Sequence, residues 1–139
     1  MRTIKFRGKC AHDSRFTGEW VDGGCVQCTK SGDVLIVSAS YDNCTMTCHV
    51  IPETVGQFTG LFDMDETEIY EGDIVDCDYI LYAPWDNEEE FLEPIRCVVE
   101  YADSGFILRE GEELFQFFSD VTNIKVIGNI HENPELLKN

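Results

Sequence analysis

Short runs of alternating or β-branched residues, cut at close intervals by turns rich in Gly, Asp and Asn, constrain the fold of this chain more than any other feature. Thr3-Ile4-Lys5-Phe6-Arg7 alternates polar and apolar side chains with period two, which predicts an amphipathic strand with Ile4 and Phe6 on one face. Asp13, Ser14 and Gly18 mark a turn before Trp20 and Val21, and Asp22-Gly23-Gly24 punctuates again before Cys25 to Cys28. Ser31-Gly32-Asp33 is a tight turn, and the β-branched run Val34 to Val37 after it predicts a buried strand. Thr45 to Ile51 favours the pleated state and stops at Pro52. The chain therefore begins as a meander of short strands.

Glu53 to Gly60 reads as a connector, after which the composition shifts to the acidic turn Asp63 to Glu68. Gly72-Asp73 then turns the chain into a new strand, so a second subdomain is expected over 61–139, following a first over 1–60. Ala83 to Glu90 is a polar, acidic excursion read as a long loop. Cys97 to Tyr101, a turn at Asp103-Ser104-Gly105, and Phe106 to Leu108 form a hairpin pattern. Glu112 to Phe118 fits a short helix or a strand. Ile124 to Ile130 reads as the closing strand, and Pro134 as the first residue of a terminal helical turn. Aromatic residues such as Trp20, Phe58, Phe62, Tyr70, Phe91, Phe106, Phe115, Phe117 and Phe118 fit core positions on strands. The fold class that follows is mainly β, two antiparallel subdomains in one compact unit with few short helical turns.

The 139 residues, 43% of them apolar, suffice for a real core. The longest apolar stretches, Val34 to Val37 and Tyr79 to Ala83, are strand-length and far short of the roughly 18 residues a membrane helix needs. Met1 to Arg7 alternates charge where an export signal would be apolar, so a cytoplasmic protein is expected. The seven cysteines are odd in number, and in a reducing compartment they are expected as free thiols or metal thiolates.

The formal charge of −17 is placed unevenly: every Lys and Arg lies at or before Lys30 or at or after Arg96, and the interval between holds sixteen Asp and Glu. Such a field repels phosphate, which disfavours direct nucleic-acid binding. It confers solubility, and it suits a basic partner. An acidic mimic of DNA, acting on a basic nucleic-acid-binding protein, is the extreme form of that idea.

Cys25-x-x-Cys28 followed by Cys44-x-x-x-Cys48 offers four thiols in two close pairs, the donor set of a structural zinc. Against a zinc-stapled module, residues three apart on a strand face opposite ways. Asp63-x-Asp65 resembles the start of a calcium loop, but no Gly occupies the sharp turn and Ile74 stands where the bidentate Glu belongs, so an exposed acidic hairpin turn is expected. No nucleophile elbow, P-loop, zincin or dinucleotide motif is present. His12, His49 and His131 have no local partner pattern, and His131 reads as a surface or strand-end residue rather than a general base. The expectation is a non-enzyme with no cofactor. Trp85, in the acidic excursion beside Glu88, Glu89 and Glu90, reads either as a partner-binding anchor, since loop Trp residues contribute disproportionately to interfaces, or as a side chain folded back to cover its own subdomain, with the three Glu as a solvated charge run.

Three islands carry a family resemblance: Ile4 to Lys9 with Gly18 to Val21; Ile51 to Leu61 continuing to Ile69-Tyr70-Glu71-Gly72-Asp73-Ile74-Val75; and Val126 to Leu136. Together they resemble the YopX family of phage and prophage proteins. Asp63 to Glu68 departs from the Lys- and Gly-containing turn usual there, and the excursion after Tyr82 is longer. The resemblance implies a β-rich N-terminal part joined to a small SH3-like barrel, and it brings no catalytic residues. A protein-protein interaction module acting on a host or phage protein is the function expected, with association between copies left open by unpaired strand edges.

Overall fold

A computed structural model describes residues 3–11, 18–39, 45–82 and 90–138. The chain divides into two compact units, 1–60 and 61–139.

In the first unit, β1 (Phe6–Lys9) pairs antiparallel with β2 (Trp20–Gly23) on one side and with β6 (Gly56–Phe62) on the other. A second sheet is the meander β3 (Cys25–Cys28), β4 (Val34–Ala39) and β5 (Thr45–Val50). Gly23 lets one sheet lie on the backbone of the other: a Cβ there would stand 2.4 Å from the Val37 carbonyl oxygen, so no side chain fits. Cys10, Ile36, Val50 and Phe58 form the interior of this unit. The turn Pro52–Thr54 is tied to β1 by Thr54, whose Oγ1 accepts the Lys9 N–H at 2.9 Å and donates to the Ile51 carbonyl at 2.6 Å.

Two expectations fail here. The segment read as a connector is largely a strand, β6, because its register is set by β1 and not by its own side chains. Ile4 precedes the start of β1 at Phe6 and is 58% exposed.

In the second unit, the turn Asp63–Thr67 leads from β6 into β7 (Glu68–Tyr70) and is closed by the Asp63 N–H donating to the Thr67 carbonyl at 2.8 Å. Five antiparallel strands follow: β8 (Asp73–Tyr82), β9 (Glu90–Ala102), β10 (Gly105–Glu110), β11 (Leu114–Gln116) and β12 (Val121–Asn129). Their order is β11-β10-β9-β8-β12, and a 3-10 turn, Phe118–Asp120, joins β11 to β12. The second unit is thus antiparallel β, as expected. Period-two alternation places Val75 and Cys77 of β8 opposite Cys97 and Ile95 of β9 on the inner face, where Ile69, Val99, Leu108 and Val121 complete the core. Burying each large aliphatic residue contributes roughly 1.5–3 kcal/mol. The chain ends on the 3-10 turn Pro134–Leu137.

The aromatics divide. Phe58 and Tyr70 are buried, whereas Phe62, Phe91, Phe115 and Phe117 are more than half exposed, contrary to the core placement expected of them.

Candidate functional site

Trp85, Glu88 and Glu89 lie outside the described residues, as do His12 and Cys44. Glu90 opens β9 opposite Tyr82, so 83–89 joins the two longest strands of the sheet. Those strands outrun their neighbours. Pairing of β12 to β8 ends at Val121, opposite Tyr79, and pairing of β10 to β9 ends at Arg109, opposite Val98. Among the described residues, 80–82 and 90–92 therefore pair only with each other, as a two-stranded arm. The arm exposes Leu81, Phe91 and Leu92. Pro94 sits in β9 where no β10 residue faces it, so its missing N–H breaks no ladder bond there.

Cys25, Cys28 and Cys48 do not converge. Cys25 faces Val37 and Cys28 faces Val34, which puts the two thiols on opposite faces of β3. Cys48 faces Ile36 from β5, on the same face as Cys28 but with β4 between them. Among the described residues, no three His, Cys, Asp or Glu side chains are grouped to hold a metal.

Asp63 is 8% exposed rather than a solvated turn residue. Its Oδ1 accepts the N–H groups of Asp65 and Thr67, each at 2.8 Å, and its Oδ2 accepts the Val126 N–H at 3.0 Å. Burial works to raise its pKa and is the largest single influence. The amides of Val126, Thr67 and Asp65 together with the Lys125 charge outweigh it and hold the carboxyl below its ordinary range. The calcium-like motif is thus a turn built around one carboxylate.

Charge is where the second unit is most unusual. Residues 61–139 contain four Lys and Arg against twenty-one Asp and Glu, a net −17, so the first unit is neutral. All four cations, Arg96, Arg109, Lys125 and Lys138, line one groove of about 1070 Å³ on the outer face of the five-stranded sheet. Three of them are held there by carboxylates. Arg96 binds Asp76 bidentately at 2.7 and 3.1 Å and donates to the Leu136 carbonyl at 2.9 Å. Arg109 binds Glu100 at 2.7 Å, and Lys125 lies 4.0 Å from Asp65. Strand pairing assembles this groove: Asp76 faces Arg96 on β9 and Lys125 on β12. No local sequence signal announces it, because its cations are widely separated along the chain. Elsewhere on the second unit, every ionised side chain is an acid.

A sequence profile described as YopX protein matches residues 5–138. The chain belongs to the YopX family. The crystal structure of protein EF1440 from Enterococcus faecalis is similar to it over 99% of this chain and 100% of that one, with a TM-score of 0.53 and 24% identity, a likeness of fold. No curated protein matches the chain. The stretches that resemble other YopX proteins are architectural here. In Ile69 to Ile74, both isoleucines are fully buried, Gly72 takes the left-handed φ of 91° that turns the chain, and the Asp73 Oδ2 accepts the Tyr70 N–H at 2.8 Å. Gly72 also donates to the Val99 carbonyl and accepts from Ile130. The closing YopX stretch meets it directly, with Asn129 opposite Asp73 and the Asn129 Oδ1 accepting the N–H groups of His131 and Glu132, each at 3.0 Å.

Proposed function

We propose that this YopX-family chain is a non-enzymatic, cytoplasmic interaction protein of phage or prophage origin whose acidic second unit binds a basic protein of the host or the phage. One observation carries this reading: the second unit gathers its only four cations into a single groove and leaves the rest of its surface one-signed. A surface of that kind accelerates encounter with a basic partner and repels phosphate. The arm formed by β8 and β9 adds exposed apolar residues next to the excursion that holds Trp85, Glu88, Glu89 and Glu90, the combination of anchor and charge that protein interfaces use.

Capture from host lysate, with and without nuclease and against a charge-matched acidic control, tests the reading. A specific, nuclease-resistant partner supports it, and reversing Glu88, Glu89 and Glu90 to Lys together with Trp85→Ala weakens that capture. A partner that survives all four substitutions moves the interface away from the excursion. Displacement of the partner by duplex DNA assigns it as a nucleic-acid-binding protein and makes this chain a mimic of its ligand.

A further inference from the structure

The two edges of the five-stranded sheet are treated differently. Beside β12, the turn Asp63–Thr67 is bonded to the strand, Met64 donating to the Ile124 carbonyl at 2.8 Å and Val126 donating to Asp63. At the other edge, β11 pairs with β10 alone among the described residues. Edge strands are usually blunted by charge, proline or a covering loop. This one, three residues long and flanked by acids, also carries Leu114, Phe115 and Phe117, which are 60%, 53% and 55% exposed, with the two Phe rings packed edge to face at 6.2 Å. Phe115 and Phe117 share one face of this open edge and Leu114 lies on the other, and an exposed aromatic pair of this kind marks an interaction site.

The charges around the patch select its occupant. Glu110, Glu112, Glu113 and Asp120 flank it, and Arg109, the cation of the neighbouring strand, is tied to Glu100. A second copy of this chain would bring another unit of net charge −17 against the first.

We propose that β11 receives an extended segment of a basic partner, alternating Lys or Arg with apolar residues, which adds as a sixth strand beside Leu114-Phe115-Gln116. Backbone hydrogen bonds along the edge supply affinity, the Phe115 and Phe117 rings take the apolar side chains, and the flanking carboxylates take the cations. This inference rests on the acidic-partner reading above and adds to it a contact separate from the arm, on the strand that pairs with β10.

The test is titration of the full-length, ¹⁵N-labelled chain with a short peptide alternating Lys and Val, beside one alternating Glu and Val. The Lys peptide is expected to shift the amides of 114–117 and to protect them from exchange, with no effect from the Glu peptide. Phe115→Ser with Phe117→Ser is expected to weaken binding about tenfold or more. Glu112→Lys with Glu113→Lys, which leaves the apolar patch intact, is expected to weaken it as well. Absence of binding by the Lys peptide overturns the assignment. So do shifts confined to 80–82 and 90–92, which leave the acidic-partner reading standing with its interface on the arm. A dimer in sedimentation that the Phe115→Ser, Phe117→Ser variant abolishes also overturns it, by making a second copy the occupant. Lysate capture tests the parent reading independently of all three.

Discussion

The Asp63 carboxylate accepts the Val126 amide across 63 positions of sequence, and through it the turn Asp63–Thr67 is pinned to β12. Asp63→Ala leaves three backbone donors without this acceptor and is expected to cost about 2–4 kcal/mol in denaturant unfolding. Asp63→Asn keeps one acceptor oxygen and is expected to cost less.

The same residue carries a pH dependence. Its folded pKa lies below the unfolded value of about 3.9, so its contribution is complete above that pH and is lost as pH falls through the folded pKa. Acid titration of stability should show the parent losing stability below about pH 4 more steeply than Asp63→Asn. Parallel acid limbs would remove Asp63 from the account.

Gly23→Ala sets a methyl group against the Val37 carbonyl, and backbone cannot swing aside as a long side chain would. An overpacking loss of about 1–3 kcal/mol is expected in thermal or chemical unfolding of the purified variant. Gly105→Ala, where a Cβ meets nothing within 4 Å, is the comparison and should change little.

Thiol chemistry should follow burial. Cys25 and Cys28 are exposed and should be alkylated rapidly in the native protein, while Cys10, Cys77 and Cys97 stay protected until it unfolds. The Cys97 thiol is pushed up by its hydrogen bond with Cys77 and by burial, so raising the pH short of unfolding should not expose it to iodoacetamide. Mass spectrometry of labelled peptides over time reads both groups at once.

The one-signed second unit should repel itself at low ionic strength. The Debye length falls from about 30 Å at 0.01 M salt to about 3 Å at 1 M. Raising salt is therefore expected to raise Tm by about 3–5 °C, the equivalent of about 1 kcal/mol for a chain between the 100- and 150-residue classes. A salt-independent Tm would mean that the exposed ion pairs lose as much as the repulsion does.

What the sequence discloses depends on how local the cause is. The hairpin of β9 and β10 is legible because alternation and the turn at Asp103-Ser104 lie within a few residues of each other. Glu112 to Phe118 is ambiguous from sequence because apolar aromatics suit a helix, a core strand or an open edge, and only the position of β11 outside β10 makes it the last. Gly56–Phe62 is hard to read as a strand because Gly56 and Gly60 carry little β preference of their own. The opposite facing of Cys25 and Cys28 follows from strand parity and is legible. The convergence of Arg96, Arg109, Lys125 and Lys138 is not, since only strand order and the terminal turn bring them to one groove.

A chain that is neutral over its first sixty residues carries its whole net charge in the remainder. Dissolved ions therefore gather around the second unit, and a change of salt acts there while leaving the first unit almost untouched.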